Sequence, residues 1–386
     1  MNLAIFGGEP AFKEPLHVGR PNLASKEELL SAVGKVIDSK WLTNDGPNVR
    51  HLEHVIEEFL QVDHCICVAN GTLGLEIAAK ALMPRLGEVI VPSFTFVATA
   101  NALSWLGYTP VFADVSEETH TTFMEEVELR MTENTVGILG VHTWGTPCDI
   151  PAISRLAVEC GIPLFFDAAH AFRCLNNGFY IGNFGDCEVF SFHATKFFNT
   201  IEGGAITTND DELAEKCRRL RNFGFRGDKT SRTVEVGINA KMSEVHAAFG
   251  LANFMQMGEI VSTNWRNYQD YYALLDCWPL TVYKHYGGNY QYVVLEVRDG
   301  ALSADDLKDI LWAENVLARR YFSPPCHLQK PYEHVSLPVT ETLADRVLVL
   351  PTGPAVSQED VTIVCDIISY CIDHDEEIAE RMCKNG

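Results

Sequence analysis

The chain has 386 residues, 47% of them hydrophobic, enough to bury one large core or a large core beside a smaller one. A formal net charge of −22 excludes nucleic-acid binding through a general basic field, and no apolar run is long enough to span a bilayer. Residues 1–8 lack the basic region and apolar core of a secretory signal, and the 12 cysteines form no CxxC pair, so a cytoplasmic chain with reduced thiols and no metal site is expected.

From residue 64 to about residue 225, short apolar runs alternate with amphipathic stretches. Residues 64–69 read as a strand that places Cys65 and Cys67 on one face, with no second pair to complete a zinc site. A helix over 72–83 follows, then a strand over 88–92 and a helix over 97–106. Runs at 110–115, 136–141 and 164–166 read as further buried strands, and 151–160 as a helix with Pro151 in its first turn. Strand and helix in alternation predict an α/β fold: a mostly parallel sheet with helices on both faces. The segment before residue 60 is expected to pack back across this large domain.

The pattern changes after Gly227. Long helices are expected over 242–257 and on to about 275. A strand pair (280–283 and 290–297), a helix over 303–315 and a closing helix over 358–372 follow. Residues 1–240 are therefore read as a large domain and 241–386 as a smaller C-terminal α+β domain.

The chemistry-bearing residues fall at strand ends. Asn70-Gly71-Thr72 opens a helix, whose free N–H groups suit a phosphate, although Asn-Gly-Thr is also an ordinary turn and cap. Phe96 can stack on a flat ring or serve as core. Asp167 ends an apolar run and needs a partner; the small residues Ala168 and Ala169 beside it leave room for a ring. His170 is open to both a ligand role and a satisfied core role. Ser191 can donate to a phosphate. Gly203 and Gly204 let backbone pass close to a ligand.

Lys196 is the only cation in the apolar run Val189-Phe190-Ser191-Phe192-His193-Ala194-Thr195-Lys196-Phe197-Phe198. Taken alone it is also a lysine with its stem buried and its head in water. Held among aromatic rings, its ammonium is disfavoured, and a neutral amine can attack a carbonyl. A Schiff-base lysine together with a buried carboxylate that holds a protonated pyridine nitrogen is the pairing pyridoxal phosphate requires. No GxGxxG follows the first strand, which disfavours a nicotinamide dehydrogenase.

These motifs resemble those of the DegT/StrS sugar aminotransferases, which share the fold-type I architecture of aspartate aminotransferase. The matching segments are Asn70-Gly71-Thr72, Pro92-Ser93-Phe94-Thr95-Phe96-Val97-Ala98-Thr99, Asp167-Ala168-Ala169-His170-Ala171 and Ser191-Phe192-His193-Ala194-Thr195-Lys196. Glu202-Gly203-Gly204-Ala205 and Gly237-Ile238-Asn239-Ala240-Lys241-Met242-Ser243-Glu244 complete the set, so the resemblance covers nearly the whole chain. It implies a mostly parallel seven-stranded sheet and the cofactor pyridoxal 5′-phosphate. Lys196 would carry the Schiff base and Asp167 would pair with the pyridine nitrogen. His170 would contact the 3-hydroxyl, Phe96 would stack on the ring, and Gly71, Thr72 and Ser191 would hold the phosphate. Asn239 or Lys241 would reach the phosphate of a neighbouring subunit, making the protein a homodimer.

Trp41, Thr43 and Asn44 lie in a segment resembling the sugar-facing loop of enzymes acting on dTDP-4-keto-6-deoxyhexoses. His193 is placed with that sugar set. Arg319, Arg320 and Tyr321 are candidates for the diphosphate, a surface arginine pair being the equal alternative. The expected reaction carries the amino group of L-glutamate to C4 of dTDP-4-keto-6-deoxyglucose, giving the viosamine nucleotide sugar. Amination at C3 is the alternative. A sugar dehydratase of the same family is disfavoured because it carries His in place of the Schiff-base lysine. A non-catalytic member is disfavoured by the intact set from Thr72 to Lys196.

Overall fold

The computed structural model describes residues 1–227, 232–285 and 287–385. Its main sheet has seven strands: β1 (His64–Val68), β2 (Glu88–Pro92), β3 (Thr109–Ala113), β4 (Thr135–Val141), β5 (Leu164–Asp167), β6 (Cys187–Ser191) and β7 (Gly204–Thr208). The spatial order is β1-β7-β6-β5-β4-β2-β3. Strand β7 runs antiparallel to both its neighbours, and every other pairing is parallel.

Helices cover both faces. Gly71–Leu82, Val97–Trp105 and Asp211–Arg221 pack one side; Pro47–Leu60, Ile150–Cys160 and Glu244–Phe254 pack the other. Cover on two faces is why the strands read as continuous apolar runs, with all of β4 buried. Local chemistry sets the helix starts. The Asn70 side chain accepts the Leu73 N–H at 2.9 Å, Pro151 sits in the first turn of its helix, and Ser303 and Ser357 head capping boxes.

In the C-terminal half, Leu280–Val282, Val293–Val297 and Val347–Leu350 form an antiparallel three-stranded sheet. Met257–Leu275, Ala304–Ala313 and Gln358–Asp373 pack against it. The helix expected over 242–257 is shorter, because Ser243 caps a helix that runs only over Glu244–Phe254. The helix over Gln358–Asp373 does not close the fold. A charged helix, Asp375–Asn385, follows it, with acids at Asp375, Glu376 and Glu377 that mask its apolar stripe.

The segment before residue 60 divides: its later part packs on the large sheet, and its first part does not. Leu3, Phe12 and Leu16 enter the core of the C-terminal half. Leu16–His17 pairs in parallel with Val316–Leu317, and the Glu314 carboxylate accepts the N–H groups of Ala4 (2.7 Å) and Ala11 (2.8 Å). The helices Lys26–Ser39 and Pro47–Leu60 pack against Glu244–Phe254, and Pro47–Leu60 also covers strand β1.

Asp114, just beyond β3, joins the two halves. Its carboxylate accepts the Thr340 N–H and hydroxyl, both at 2.7 Å, and the Val339 N–H at 3.1 Å. An anion at the N-terminus of Pro338–Arg346 suits the helix dipole. That helix leads into Val347–Leu350, where Val349 exchanges two main-chain hydrogen bonds with Arg319.

Candidate active site

Strands β1, β2, β5 and β6 deliver their carboxyl ends to one edge of the sheet, where ligands bind in folds of this class. A cavity of about 760 Å³ opens there. Its wall holds Gly71, Thr72, Phe96, Asp167, His170, Ser191, His193, Lys196, Arg319 and Tyr321, so the structure gathers these candidates in one place. Thr95, Glu202, Tyr292 and Phe322, which the sequence reading gave no role, line it too.

Gly71 is the first residue of Gly71–Leu82, whose free N–H groups face the cavity end of the sheet. Close approach explains the glycines. A Cβ on Gly204 would stand 2.8 Å from Gly71 N and 2.6 Å from Phe190 O, and one on Gly71 would stand 3.1 Å from Ser191 Cβ. β1, β7 and β6 therefore meet backbone to backbone beneath a helix N-terminus, a cradle for an anion.

Asp167 is buried. Its Oδ2 accepts from Thr99 Oγ1 (2.8 Å) and its Oδ1 from the Ala169 N–H (3.0 Å). Burial pushes its carboxyl upward; the Thr99 hydroxyl, the Ala169 N–H and the Lys196 charge pull it back. Lys196 follows a tight turn in which its N–H donates to His193 O at 2.8 Å. Burial lowers its amine to about 8, against the opposing pull of Asp167. Phe96 caps Val97–Trp105 with 57% of its surface exposed, so one ring face at the cavity lip is uncovered. His170 is buried, and its imidazole is held well below the ordinary range by burial and then by Lys196. It is a neutral ring in this site.

This donor set fits pyridoxal phosphate: an amine lowered by burial to about 8, a buried carboxylate with room for a cation, an exposed aromatic ring and a phosphate cradle. Thr99, which orients Asp167, carries no signal of its own in the sequence beyond its place three residues after Phe96.

His193 lies at the mouth. Its Nδ1 meets Thr195 Oγ1 at 2.9 Å, and its Nε2 stands 3.6 Å from Glu202 Oε1. Arg319 is exposed, and its Nη1 donates to Tyr321 OH at 3.1 Å. Arg320 does not share this position. Successive side chains of extended backbone point to opposite faces. Arg320 turns inward, where it donates to Val347 O (2.9 Å) and Ala344 O (2.6 Å) and pairs with Asp305 at 2.8 Å. It is a structural clasp and not a diphosphate ligand.

Trp41, Thr43, Asn44, Asn239 and Lys241 do not line the cavity of their own chain. They lie beside one another instead. The Glu244 N–H donates to Leu42 O at 3.0 Å, and Arg221 reaches Asp45 at 3.5 Å while its carbonyl accepts the Ala240 N–H at 3.0 Å. Trp41 Nε1 donates to Thr43 O, and Lys241 Nζ meets Asn239 Oδ1 at 2.6 Å.

Comparison with known proteins matches residues 24–369 to the DegT/DnrJ/EryC1/StrS aminotransferase family. A dTDP-4-amino-4,6-dideoxy-D-glucose transaminase of Shigella dysenteriae is 36% identical over 376 residues, 95% of this chain and 100% of that relative. A GDP-perosamine synthase of Vibrio cholerae is 31% identical over 342 residues, 86% of this chain and 93% of that one. Among solved structures, DesI in the presence of its TDP-sugar product superposes with a TM-score of 0.94 at 42% identity, over 99% of each chain. NtdA of Bacillus subtilis, solved with the cofactor PMP, superposes with a TM-score of 0.84 at 25% identity, over 95% of this chain and 86% of that one.

Proposed function

Because the chain belongs to the DegT/DnrJ/EryC1/StrS aminotransferase family, a family of pyridoxal phosphate enzymes, we propose that it transfers the amino group of L-glutamate to C4 of dTDP-4-keto-6-deoxyglucose. The supporting observation is the cavity itself: Lys196, Asp167 and His170 gathered beside the N-terminus of Gly71–Leu82, in a chain 42% identical to a protein solved with a TDP-sugar product.

Pyridoxal phosphate, when bound, supplies an electron sink for negative charge at the amino-acid Cα. The chain's residues do the rest. Gly71, Thr72 and Ser191 hold the phosphate at the helix N-terminus. The Asp167 carboxylate, steadied by Thr99, keeps the ring nitrogen protonated. Phe96 covers one ring face, and His170 meets the ring hydroxyl. Lys196 Nζ takes the proton from the glutamate Cα as a general base. In the second half-reaction the same Nζ returns a proton to C4 of the sugar. Tyr292, Tyr321 and Phe322 narrow the cavity against water, and Arg319 meets the sugar's diphosphate from the exposed side.

The protein acts as a homodimer in this reading. Trp41, Thr43, Asn44, Asn239 and Lys241 form one surface outside their own cavity, and they complete the cavity of a second copy. The compartment is the cytoplasm, in keeping with free thiols at the described cysteines. None of the described helices is long and apolar enough to cross a membrane.

The deciding experiment is an absorbance spectrum of the purified protein. A visible band that glutamate bleaches and dTDP-4-keto-6-deoxyglucose restores is the expected result. Restoration by a GDP-linked 4-ketosugar instead would favour the second reading, which the GDP-perosamine synthase relative supports. Absence of any visible band after incubation with pyridoxal phosphate would end both readings.

A further inference from the structure

Trp144 is fully buried beneath the cavity, with its backbone in the left-handed region (φ 59°, ψ 7°). An aromatic side chain adopts that conformation only where its surroundings impose it. Here the conformation turns the Trp144 main-chain N–H toward His170 Nδ1, 3.3 Å away. The indole lies nearly parallel to the His170 ring (6.0 Å, 17°) and to Phe322 (5.3 Å, 11°). Its Nε1–H donates to His120 Nδ1 at 3.0 Å. His120 is also fully buried; its Nε2 lies 3.3 Å from Glu296 Oε1, on the strand Val293–Val297 of the C-terminal half, without the geometry of a hydrogen bond.

A neutral imidazole has one N–H. Because His170 Nδ1 accepts from Trp144, its proton resides on Nε2, and Nε2–H is the donor that His170 offers to the cavity. The same logic orders His120. Its Nδ1 accepts from the indole, so its proton resides on Nε2. We infer that Trp144 and His120 are positioning residues that hold His170 as the Nε2–H tautomer. Phe322, from the C-terminal half, stacks on both the indole and the His170 ring, so the seating of that half also bears on His170. The assignment of a ring hydroxyl as the group His170 meets rests on the aminotransferase reading; the tautomer does not.

The test is the 15N spectrum of histidine side chains in the full-length protein loaded with pyridoxal phosphate. Wild type is expected to show His170 as a single neutral Nε2–H tautomer. Trp144→Phe and His120→Leu each break the indole link that anchors the turn carrying the Trp144 main-chain N–H, and are expected to admit the Nδ1–H form, with a shift of the visible band and a fall in kcat at little change in KM. His120→Gln keeps an acceptor for the indole and is expected to restore the wild-type spectrum. An Nδ1–H or mixed tautomer in wild type overturns the inference without any variant, which covers the event that Trp144→Phe fails to fold. So does a single Nε2–H tautomer that persists in both folded variants. A protein that takes up no cofactor but still shows the Nε2–H tautomer would sink the aminotransferase reading and leave this one standing.

Discussion

Burial acts on Lys196 and Asp167 in opposite senses: it lowers the amine and raises the carboxyl, while the charge of each opposes the shift in the other. For Lys196, the shift from 10.5 to about 8 means a large neutral fraction just above neutrality. The cofactor-free protein should therefore take up pyridoxal phosphate faster as pH rises, with a midpoint near 8; stopped-flow absorbance checks this, and a midpoint near that of an exposed lysine would refute it. The same depression carries a stability cost of about 3 kcal/mol, fully present below pH 8 and gone as pH reaches 10.5, because only the unfolded amine binds its proton in that interval. Lys196→Ala should lower kcat by roughly 10³-fold or more, the scale of a lost general base. Asp167→Asn keeps the side chain's size and its Thr99 contact but removes the charge. It should lower kcat by about 10²-fold while cofactor still binds, measured by steady-state kinetics beside a cofactor titration. Single residues also mark where sequence legibility stops. Lys196 announces itself as a cation in an aromatic run, and Asp167 as an acid ending an apolar strand. Arg319 and Arg320 are adjacent and chemically identical, and only the direction of each side chain separates a residue at the cavity mouth from a clasp on Val347 and Asp305.

Among the elements, the buried strands were readable because two-sided cover makes them continuous apolar runs, and the site residues sit where those runs stop. The helix Lys26–Ser39 left a weaker mark, since most of its positions face water. The antiparallel course of β7 has no local signature; direction is decided by its pairing with β1 and β6. Trp144, Tyr292 and Phe322 reach the cavity region from a turn and from the distant C-terminal half, where no periodicity flags them. The strand junction at Gly204 is an element-level constraint. Gly204→Ala should force β7 away from Gly71 and Phe190, costing about 1–3 kcal/mol in a thermal melt and weakening cofactor binding together with it. An unchanged melt with normal cofactor affinity would show that the cradle tolerates the extra methyl group.

At the scale of the whole molecule, the residues outside the cavity become informative. Val236, Val234, Ile238 and Phe223 are exposed apolar side chains close to Asn239 and Lys241, a surface suited to a second copy. Sedimentation should give about twice the 43.0 kDa chain mass. Subunits carrying Lys196→Ala, mixed with subunits carrying Asn239→Ala and Lys241→Ala, should recover activity, because a mixed dimer contains one cavity with an intact lysine and an intact neighbouring loop. Equal inactivity of the mixture would mean that the loop serves its own chain or none. The sheet order bears on how the protein comes into being. β1 has a single neighbour, β7, which begins 140 residues later. On the ribosome, β1 and the phosphate turn behind it have no strand to pair with until β7 has emerged. The anion cradle thus closes only after Asp167 and Lys196 have been made, and nascent chains that stop short of Gly204 should remain blind to the cofactor even though residue 196 is already in place.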